Sequence, residues 1–322
     1  MSTAIVYTEF GGPEVLTVAD VEVPAPGPGE VTVRIEAVGV NPIDHKLRSG
    51  LRASDPIVEP RRLGSDAAGI VTAVGSEVEG FRVGDPVVVF GAAGTYASAL
   101  TTSAAHVSPR PPQVSAAEGA ALGIPVGTAY QTLRSLAVGA DDTVLIHGGS
   151  GAVGQAAIQH AVLSGATVLA TTSDRRADRV RALGAHPLPY GAAVVDDVRR
   201  LAPQGVTAAI DLAGTDDALQ QSRELVADHR RIATLVRGKD AAALGIRAFS
   251  GGSPVPLTAQ EQAWRAEAVP VTVALLAAGR FRIELGPRMP LAEAAEAHRL
   301  VAAGADGKIV LVPSPSRLSW PR

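Results

Sequence analysis

The chain contains no cysteine. That single absence excludes disulfides, cysteine-ligated zinc, iron–sulfur clusters and a thiol nucleophile. Aromatic residues are scarce, at 3 % of 322, and the formal net charge is −3. A nucleic-acid surface needs basic patches interleaved with aromatics, so no nucleic-acid partner is expected. Lysine is nearly missing as well: Lys46, Lys239 and Lys308 stand alone among positive charges otherwise supplied by arginine. We read this as coding bias and attach no function to it. The N-terminal segment carries Glu9 early and lacks a basic start followed by an apolar core, which argues against a secretory signal there.

Residues 143–173 contain no Asp, Glu, Lys or Arg and so test a membrane reading. A bilayer span needs about 20 predominantly apolar residues. This stretch is interrupted by glycines and by Gln155, Gln159 and His160. It reads better as a strand, a glycine turn and a helix buried in a soluble α/β core. A cytoplasmic protein without a membrane partner is the expectation.

Hydrophobic residues make up 46 % of the chain and charged residues 19 %, a balance that argues against disorder. The length suggests two domains, each able to bury a core. The first third reads as β: 4–7, 31–40, 69–74 and 86–90 are short β-branched runs separated by Gly/Pro punctuation such as 24–29. From about Gly123 the pattern changes. Strand-like segments at 143–147, 167–172, 208–212 and 231–236 alternate with helical ones at 154–164, 176–183 and 217–226. Such alternation predicts a parallel sheet with helices on both faces. A loop at 250–256, a helix at 267–278, a strand at 282–285, a helix at 291–303 and a strand at 308–312 follow.

The most informative segment is Thr143-Val-Leu-Ile-His-Gly-Gly-Ser-Gly-Ala-Val-Gly154. Gly149, Gly151 and Gly154 satisfy G-x-G-x-x-G after an apolar strand and at the opening of a helix. In such a turn the first glycine allows a tight bend and the second lets backbone N–H groups approach a pyrophosphate. The third lets helix and strand pack closely. Residues 149–154, which include Ser150, Ala152 and Val153, are therefore candidate cofactor contacts; the alternative is a purely structural turn. The next strand ends Leu169-Ala-Thr-Thr-Ser-Asp-Arg-Arg176. Asp174 could serve an NAD ribose, or cap the following helix. In the second case Thr172 and Ser173 offer hydroxyls and Arg175 or Arg176 pairs a 2′-phosphate. NADPH is the preferred cofactor, with solvated surface arginines as the alternative.

With these features in view, the chain resembles the medium-chain dehydrogenase/reductase superfamily, specifically its zinc-independent quinone oxidoreductase (zeta-crystallin-like) branch. The resemblance rests on Val40-Asn-Pro-Ile-Asp44, Gly64-Ser-Asp-Ala-Ala-Gly-Ile-Val71, Val83-Gly-Asp-Pro-Val87, Gly127-Thr-Ala-Tyr-Gln131, the glycine turn, Ile210-Asp-Leu-Ala-Gly214 and Gly307-Lys-Ile-Val-Leu311. It implies a GroES-like β-barrel domain at 1–122, completed by 263–322, with a Rossmann domain, a doubly wound parallel sheet, at 123–262. It implies NADPH-linked reduction of a quinone or an α,β-unsaturated carbonyl, and commonly a homodimer. Where zinc relatives carry a ligating Cys and His, this sequence has Asn41 and Ser65, so no metal is expected. The histidines at 45, 106, 147, 160, 186, 229 and 298 show no ligand-like pairing.

By the same resemblance Asn41 lies beside the nicotinamide, Thr128 contacts it or the adjacent phosphate, Tyr190 nears the 2′-phosphate and Phe249 edges the nicotinamide pocket. Some relatives carry a donor tyrosine close to Asn41. Here Asp44-His45-Lys46 stands instead, leaving His45 or Lys46 as the donor. Each assignment has a plainer counterpart: Asn41-Pro42 as a turn tied by Asp44, His45 as surface, Lys46 in an ion pair, Thr128 as a helix cap and Tyr190 as packing. Competing functions are a 2-enoyl-thioester reductase using Arg61 and Arg62, a hydrolase built on Ser150, and a catalytically silent NADPH-binding protein. The loops at 48–62 and 250–256 would set substrate choice.

Overall fold

The computed structural model describes residues 1–52, 55–249 and 253–314. In chain order the strands and helices are β1 (Ser2–Tyr7), β2 (Thr17–Val21), β3 (Glu30–Gly39), α1 (Pro42–Arg48), β4 (Arg61–Arg62), β5 (Ala67–Val74), β6 (Pro86–Val89), β7 (Ala99–Ser103), β8 (Val107–Pro109), α2 (Ala116–Ala120) and α3 (Gly123–Ser135). Then come β9 (Thr143–His147), α4 (Ala152–Leu163), β10 (Thr167–Thr172), α5 (Ala177–Ala182), β11 (His186–Pro189), α6 (Val194–Leu201), β12 (Ala208–Asp211), α7 (Asp216–Leu225), β13 (Ile232–Thr234), α8 (Ala241–Leu244) and β14 (Arg247–Ala248). The chain closes with α9 (Ala259–Ala277), β15 (Leu285–Pro290), α10 (Ala294–Ala302) and β16 (Lys308–Val312). Parts of the expected specificity loops, residues 53–54 and 250–252, lie outside the described residues.

Two compact units emerge, one from Met1–Ile124 with Val269–Arg322, the other from Pro125–Ala268. The sequence placed its divisions at 122 and 262. The second division falls within α9, beside Pro270, which lacks the N–H a helix interior would use.

The first unit is built on β3, the long strand that pairs antiparallel with β5 along most of its length. On its other edge β3 pairs β7 through Glu30–Arg34 and β16 through Val38 and Gly39. A strand from the far end of the chain thus completes the barrel-like sheet. Its order is β15-β16-β3-β5-β6-β8, with β7 branching from β3. The apolar interior is fed by alternate residues such as Val31, Val33, Ile35, Val87, Val89, Ile309 and Leu311, with Met289, Leu291 and Ala297 from the tail. The strand expected at 282–285 instead runs Leu285–Pro290, parallel to β16, despite its prolines. An edge strand tolerates them, because the missing N–H faces no partner.

The second unit is a six-stranded parallel sheet, ordered β11-β10-β9-β12-β13-β14. Counted from β9 this is 3-2-1-4-5-6, the doubly wound Rossmann order, whose direction of winding reverses between β9 and β12. β9 is buried at every position, as a strand covered by helices on both faces must be. One face packs Leu145, Leu169, Leu188, Ala209 and Ile232 against Val194, Val198 and Leu219 of the helices. The expected strands at 208–212 and 231–236 appear as Ala208–Asp211 and Ile232–Thr234, and the helix expected from 267 begins at Ala259.

Candidate active site

The glycine turn is shaped by sterics that differ from one glycine to the next. The tight bend read at the first glycine of the pattern, Gly149, has its left-handed residue one position earlier, at Gly148, with φ +85. Gly148 donates its N–H to Thr171 Oγ1 at 3.1 Å and Gly149 donates to the Thr171 carbonyl at 2.9 Å, so the turn is pinned to β10. A Cβ at Gly149 would come within 2.6 Å of Ala170 Cβ, and one at Gly154 within 2.4 Å of the Gly148 carbonyl oxygen. These two glycines permit close packing of turn, helix and sheet. Gly151 is different: its nearest neighbour would be the Gly148 oxygen at 3.6 Å, an ordinary contact. Gly151 and Ala152 are exposed, and Gly151 is the N-cap of the twelve-residue α4 with no side chain to satisfy the first-turn amides. An open helix N-terminus of this kind presents N–H groups and partial positive charge to an anion. Ser150 contributes its carbonyl to Gln155 Nε2 at 2.9 Å, and Val153 is half-buried.

At the end of β10 Thr172 is buried, and its Oγ1 has no hydrogen-bond partner among the described residues. A buried hydroxyl without a partner costs about 1–3 kcal/mol, which fits a group awaiting a ligand. Ser173 takes the N-cap position of a short 3-10 turn, Asp174–Arg176. Asp174 is therefore the first residue of that turn and not its cap. Arg175 is exposed and Arg176 half-buried. Thr172 pairs in register with Pro189 of β11, so Tyr190 emerges at the same sheet edge. It is 70 % exposed, which removes the packing alternative.

The remaining residues of this unit are less open. Thr128 lies inside α3 and is not a cap; its hydroxyl accepts a hydrogen bond from Arg265 Nη2, and its carbonyl accepts from Thr132 Oγ1 at 2.8 Å. Phe249 is buried beneath the Arg247 guanidinium, 4.8 Å from the ring centroid. Asp211 shapes the turn after β12, accepting from the Ala213 and Gly214 N–H groups at 3.0 and 2.8 Å and from Thr234 Oγ1 at 2.7 Å. His147, at the end of β9, is buried with Nε2 unpartnered among the described residues, and burial pulls its pKa down to about 4.

In the first unit the structure gathers residues that the sequence did not connect. Asn41 is buried at the N-cap of α1. Its N–H donates to Asp44 Oδ2 at 2.8 Å, its Nδ2 donates to Asp66 Oδ2 at 2.9 Å, and its Oδ1 accepts from Lys308 Nζ. Asp66 also accepts the Ile124 N–H at 2.8 Å. Asp44 Oδ2 accepts from the Tyr96 hydroxyl at 3.0 Å. Tyr96 Oη lies 3.2 Å from His298 Nε2, and His298 Nδ1 lies 3.1 Å from Arg48 Nη1.

The polarity of this chain is determined. A guanidinium only donates, so His298 Nδ1 accepts and its proton sits on Nε2. That proton points to Tyr96, whose own hydroxyl proton goes to Asp44. Burial, then Arg48 and His45, hold His298 down at about 3, so it is neutral. Burial raises Asp44 to about 7, partly opposed by the Asn41 N–H. Burial likewise raises Asp66 and lowers Lys308, each opposed by the attraction between the two. The turn with Asp44 bonding Asn41 is therefore real, and it is one corner of a larger buried cluster.

Beside that cluster His45 is half-buried, with Nδ1 buried and unpartnered among the described residues. Burial, followed by Lys46 and Arg48, lowers its pKa. It is a neutral imidazole near pH 7, able to donate a hydrogen bond rather than to act as a cation. Among the described residues no group of three His, Cys, Asp or Glu could hold a metal ion. The donor chemistry disagrees with zinc directly: the ammonium of Lys308 occupies the Asn41 oxygen, and cation beside cation is unfavourable. The sequence missed Lys308, Tyr96, His298 and Arg48. Only Lys308 carried a signal, as one of three lysines retained in an arginine-rich chain.

A barrel unit followed by a 3-2-1-4-5-6 parallel sheet with an open glycine turn defines a dehydrogenase/reductase of the medium-chain type. Comparison with known proteins agrees. Residues 27–135 match the alcohol dehydrogenase GroES-like domain and residues 183–311 the zinc-binding dehydrogenase domain. Human quinone oxidoreductase is 31 % identical, covering 96 % of this chain and 97 % of that protein; the pig enzyme is 33 % identical, covering 97 % and 98 %. A mycobacterial quinone oxidoreductase structure superposes with a TM-score of 0.78 at 31 % identity, covering 97 % of this chain and 100 % of that one. The Escherichia coli quinone oxidoreductase complexed with NADPH gives 0.81 at 25 % identity, with coverage of 97 % and 100 %. The chain belongs to the quinone oxidoreductase branch of the medium-chain dehydrogenase/reductase superfamily.

Proposed function

We propose that this protein is an NADPH-dependent oxidoreductase that reduces a quinone or an α,β-unsaturated carbonyl without a metal. The observation that carries the reading is the turn at 148–154, pinned to β10 and open at Gly151 over the N-terminus of α4. Support comes from the family and from the NADPH named with the Escherichia coli relative. Bound NADPH supplies the hydride from C4 of its nicotinamide to an electrophilic carbon of the substrate.

The chain's own residues then have distinct tasks. The turn 149–154 holds the diphosphate through the open amides that begin at Ala152 and Val153 of α4, because the Gly149 and Gly151 N–H groups already donate to the Thr171 and Gly148 carbonyls. Thr172, Ser173, Arg175, Arg176 and Tyr190 cluster at one sheet edge and hold the 2′-phosphate through hydroxyls and guanidinium groups. For the nicotinamide end the resemblance names Asn41, Thr128 and Phe249. Asn41 and Thr128 already have their polar atoms in protein hydrogen bonds, and Phe249 is buried. These three act by shape and fixed orientation, which is what near-attack positioning requires. Hydride arrival at carbon leaves negative charge on the substrate oxygen, and a proton must follow. We assign His45 as the hydrogen-bond donor to that oxygen, with solvent supplying the net proton.

The enoyl-thioester alternative wanted Arg61 and Arg62 for an acidic substrate. Arg61 Nη2 instead donates to the Pro56 carbonyl at 3.0 Å and Arg62 Nη2 to the Gly94 carbonyl at 2.7 Å. Family membership removes the hydrolase reading of Ser150. No helix among the described residues is long and apolar enough to cross a membrane. We infer a cytoplasmic homodimer from the resemblance.

The test is NADPH oxidation, followed by absorbance, against simple quinones, enals and crotonyl-CoA. Turnover of quinones or enals ahead of crotonyl-CoA is expected. Tight NADPH binding with no oxidation by any of them would make the protein a silent nucleotide binder and overturn the reductase reading.

A further inference from the structure

Lys308 lies at the first position of β16, far in sequence from the α1 region, yet its ammonium meets Asn41 Oδ1 inside the first unit. On the opposite side of the same amide, Asp66 accepts from Asn41 Nδ2 at 2.9 Å. An amide has two orientations related by a half-turn about its last bond, and its hydrogen-bond partners decide between them. Here both neighbours enforce it. An ammonium has only donors and a carboxylate only acceptors, so the reversed amide would set N–H against N–H and oxygen against oxygen. Asn41, Asp66 and Lys308 are all almost fully buried, so no water can relieve the mismatch cheaply. The Asn41 backbone is fixed as well, by the bond from its N–H to Asp44 Oδ2 at 2.8 Å.

We infer that Lys308 and Asp66 are positioning residues for hydride transfer, acting through Asn41 by locking its side-chain amide in one of two orientations. This rests on the reading of Asn41 as the residue beside the nicotinamide. A structural ion pair could have been made by the two charged groups directly. Placing an amide between them spends their charge on an orientation, and a lysine is retained for it where the chain otherwise uses arginine. A single point-like donor suits one oxygen acceptor, whereas a planar fork would demand a second acceptor.

The test uses the full chain in three variants: Lys308→Met, Lys308→Arg and Asp66→Asn. Melting temperature and circular dichroism report folding. NADPH fluorescence titration gives Kd, quinone-saturated turnover gives kcat, and NADPH deuterated at C4 reports whether hydride transfer limits it. Lys308→Met and Asp66→Asn should lower kcat about tenfold or more and increase the isotope effect, as expected when a contact group is misplaced. NADPH Kd should stay within about twofold, and Lys308→Arg should recover only part of kcat, because the charge survives while the planar fork fits a single oxygen acceptor less well.

Unchanged kcat in a folded Lys308→Met or Asp66→Asn protein overturns the proposal. So does equal loss in Lys308→Arg and Lys308→Met with matching losses of melting temperature, which would mark a packing role. Should Lys308→Met fail to fold, the isosteric Asp66→Asn decides; failure of both to fold makes the cluster structural and also overturns it. Failure of the functional reading is separate, since it shows as a wild-type protein that oxidises no NADPH with any quinone.

Discussion

Replacing Gly151 and Gly154 by alanine, one at a time, should separate binding from folding. At Gly154 the added Cβ lies 2.4 Å from the Gly148 oxygen and 2.8 Å from Gly149 Cα. Both are backbone atoms, so no side-chain rotation relieves the clash. Overpacking of this type costs about 1–3 kcal/mol, and the turn must open from β10 to accept it. At Gly151 the Cβ meets only an ordinary contact at 3.6 Å, and the backbone there, at φ −75, suits any residue. The fold should lose at most about 1 kcal/mol, the cost of alanine at an N-cap. A methyl group over the open amides, however, displaces the phosphate. Losing one hydrogen bond to a charged group is worth about 1.5–3 kcal/mol, or about 10- to 100-fold in NADPH Kd.

Thermal denaturation and fluorescence titration of both variants read the two effects. Gly154→Ala should lose melting temperature and binding together, while Gly151→Ala should lose binding alone. Equal NADPH affinity in wild type and Gly151→Ala would refute the diphosphate assignment of the turn, whatever the enzyme's activity.

Changing Arg175 and Arg176 together to alanine should weaken NADPH about tenfold or more, with much less effect on NADH, because only the former carries the 2′-phosphate; equal loss for both would contradict that pairing. Asp44 has a folded pKa of about 7, raised above the ordinary value of about 3.9. Its protonated form therefore stabilises the fold fully below pH 4, and this contribution is lost as pH rises through 7. Melting temperature of wild type relative to Asp44→Asn should fall between pH 5 and 8. A constant difference across that range would show that Asp44 does not take up a proton on folding.

Much of the architecture was visible in the sequence because it is local. The alternation of apolar strands and helices after Gly123 and the glycine turn in its strand-to-helix setting both survive in the structure. What failed was local chemistry overruled by neighbours. Gly148, outside the three-glycine pattern, takes the left-handed turn. Ser173 rather than Asp174 holds the cap position. β15 forms over prolines because it lies at an edge.

The buried cluster was invisible for a different reason. Lys308 and Asn41 are separated by 267 positions, and Arg48 and His298 by 250. No periodicity or spacing encodes such pairs. Lys308 was dismissed as composition, although burying a lysine is costly unless it is paired. An isolated lysine in an arginine-rich chain can mark a site that wants one compact charge.

Amide hydrogen exchange across residues 148–156, with and without NADPH, tests the central claim most directly. Saturating NADPH should slow exchange at Ala152 and Val153, the open first-turn amides of α4, and leave those of β9 at their already low rate. Saturable NADPH binding with exchange at Ala152 and Val153 unaltered would place the cofactor elsewhere and contradict the account.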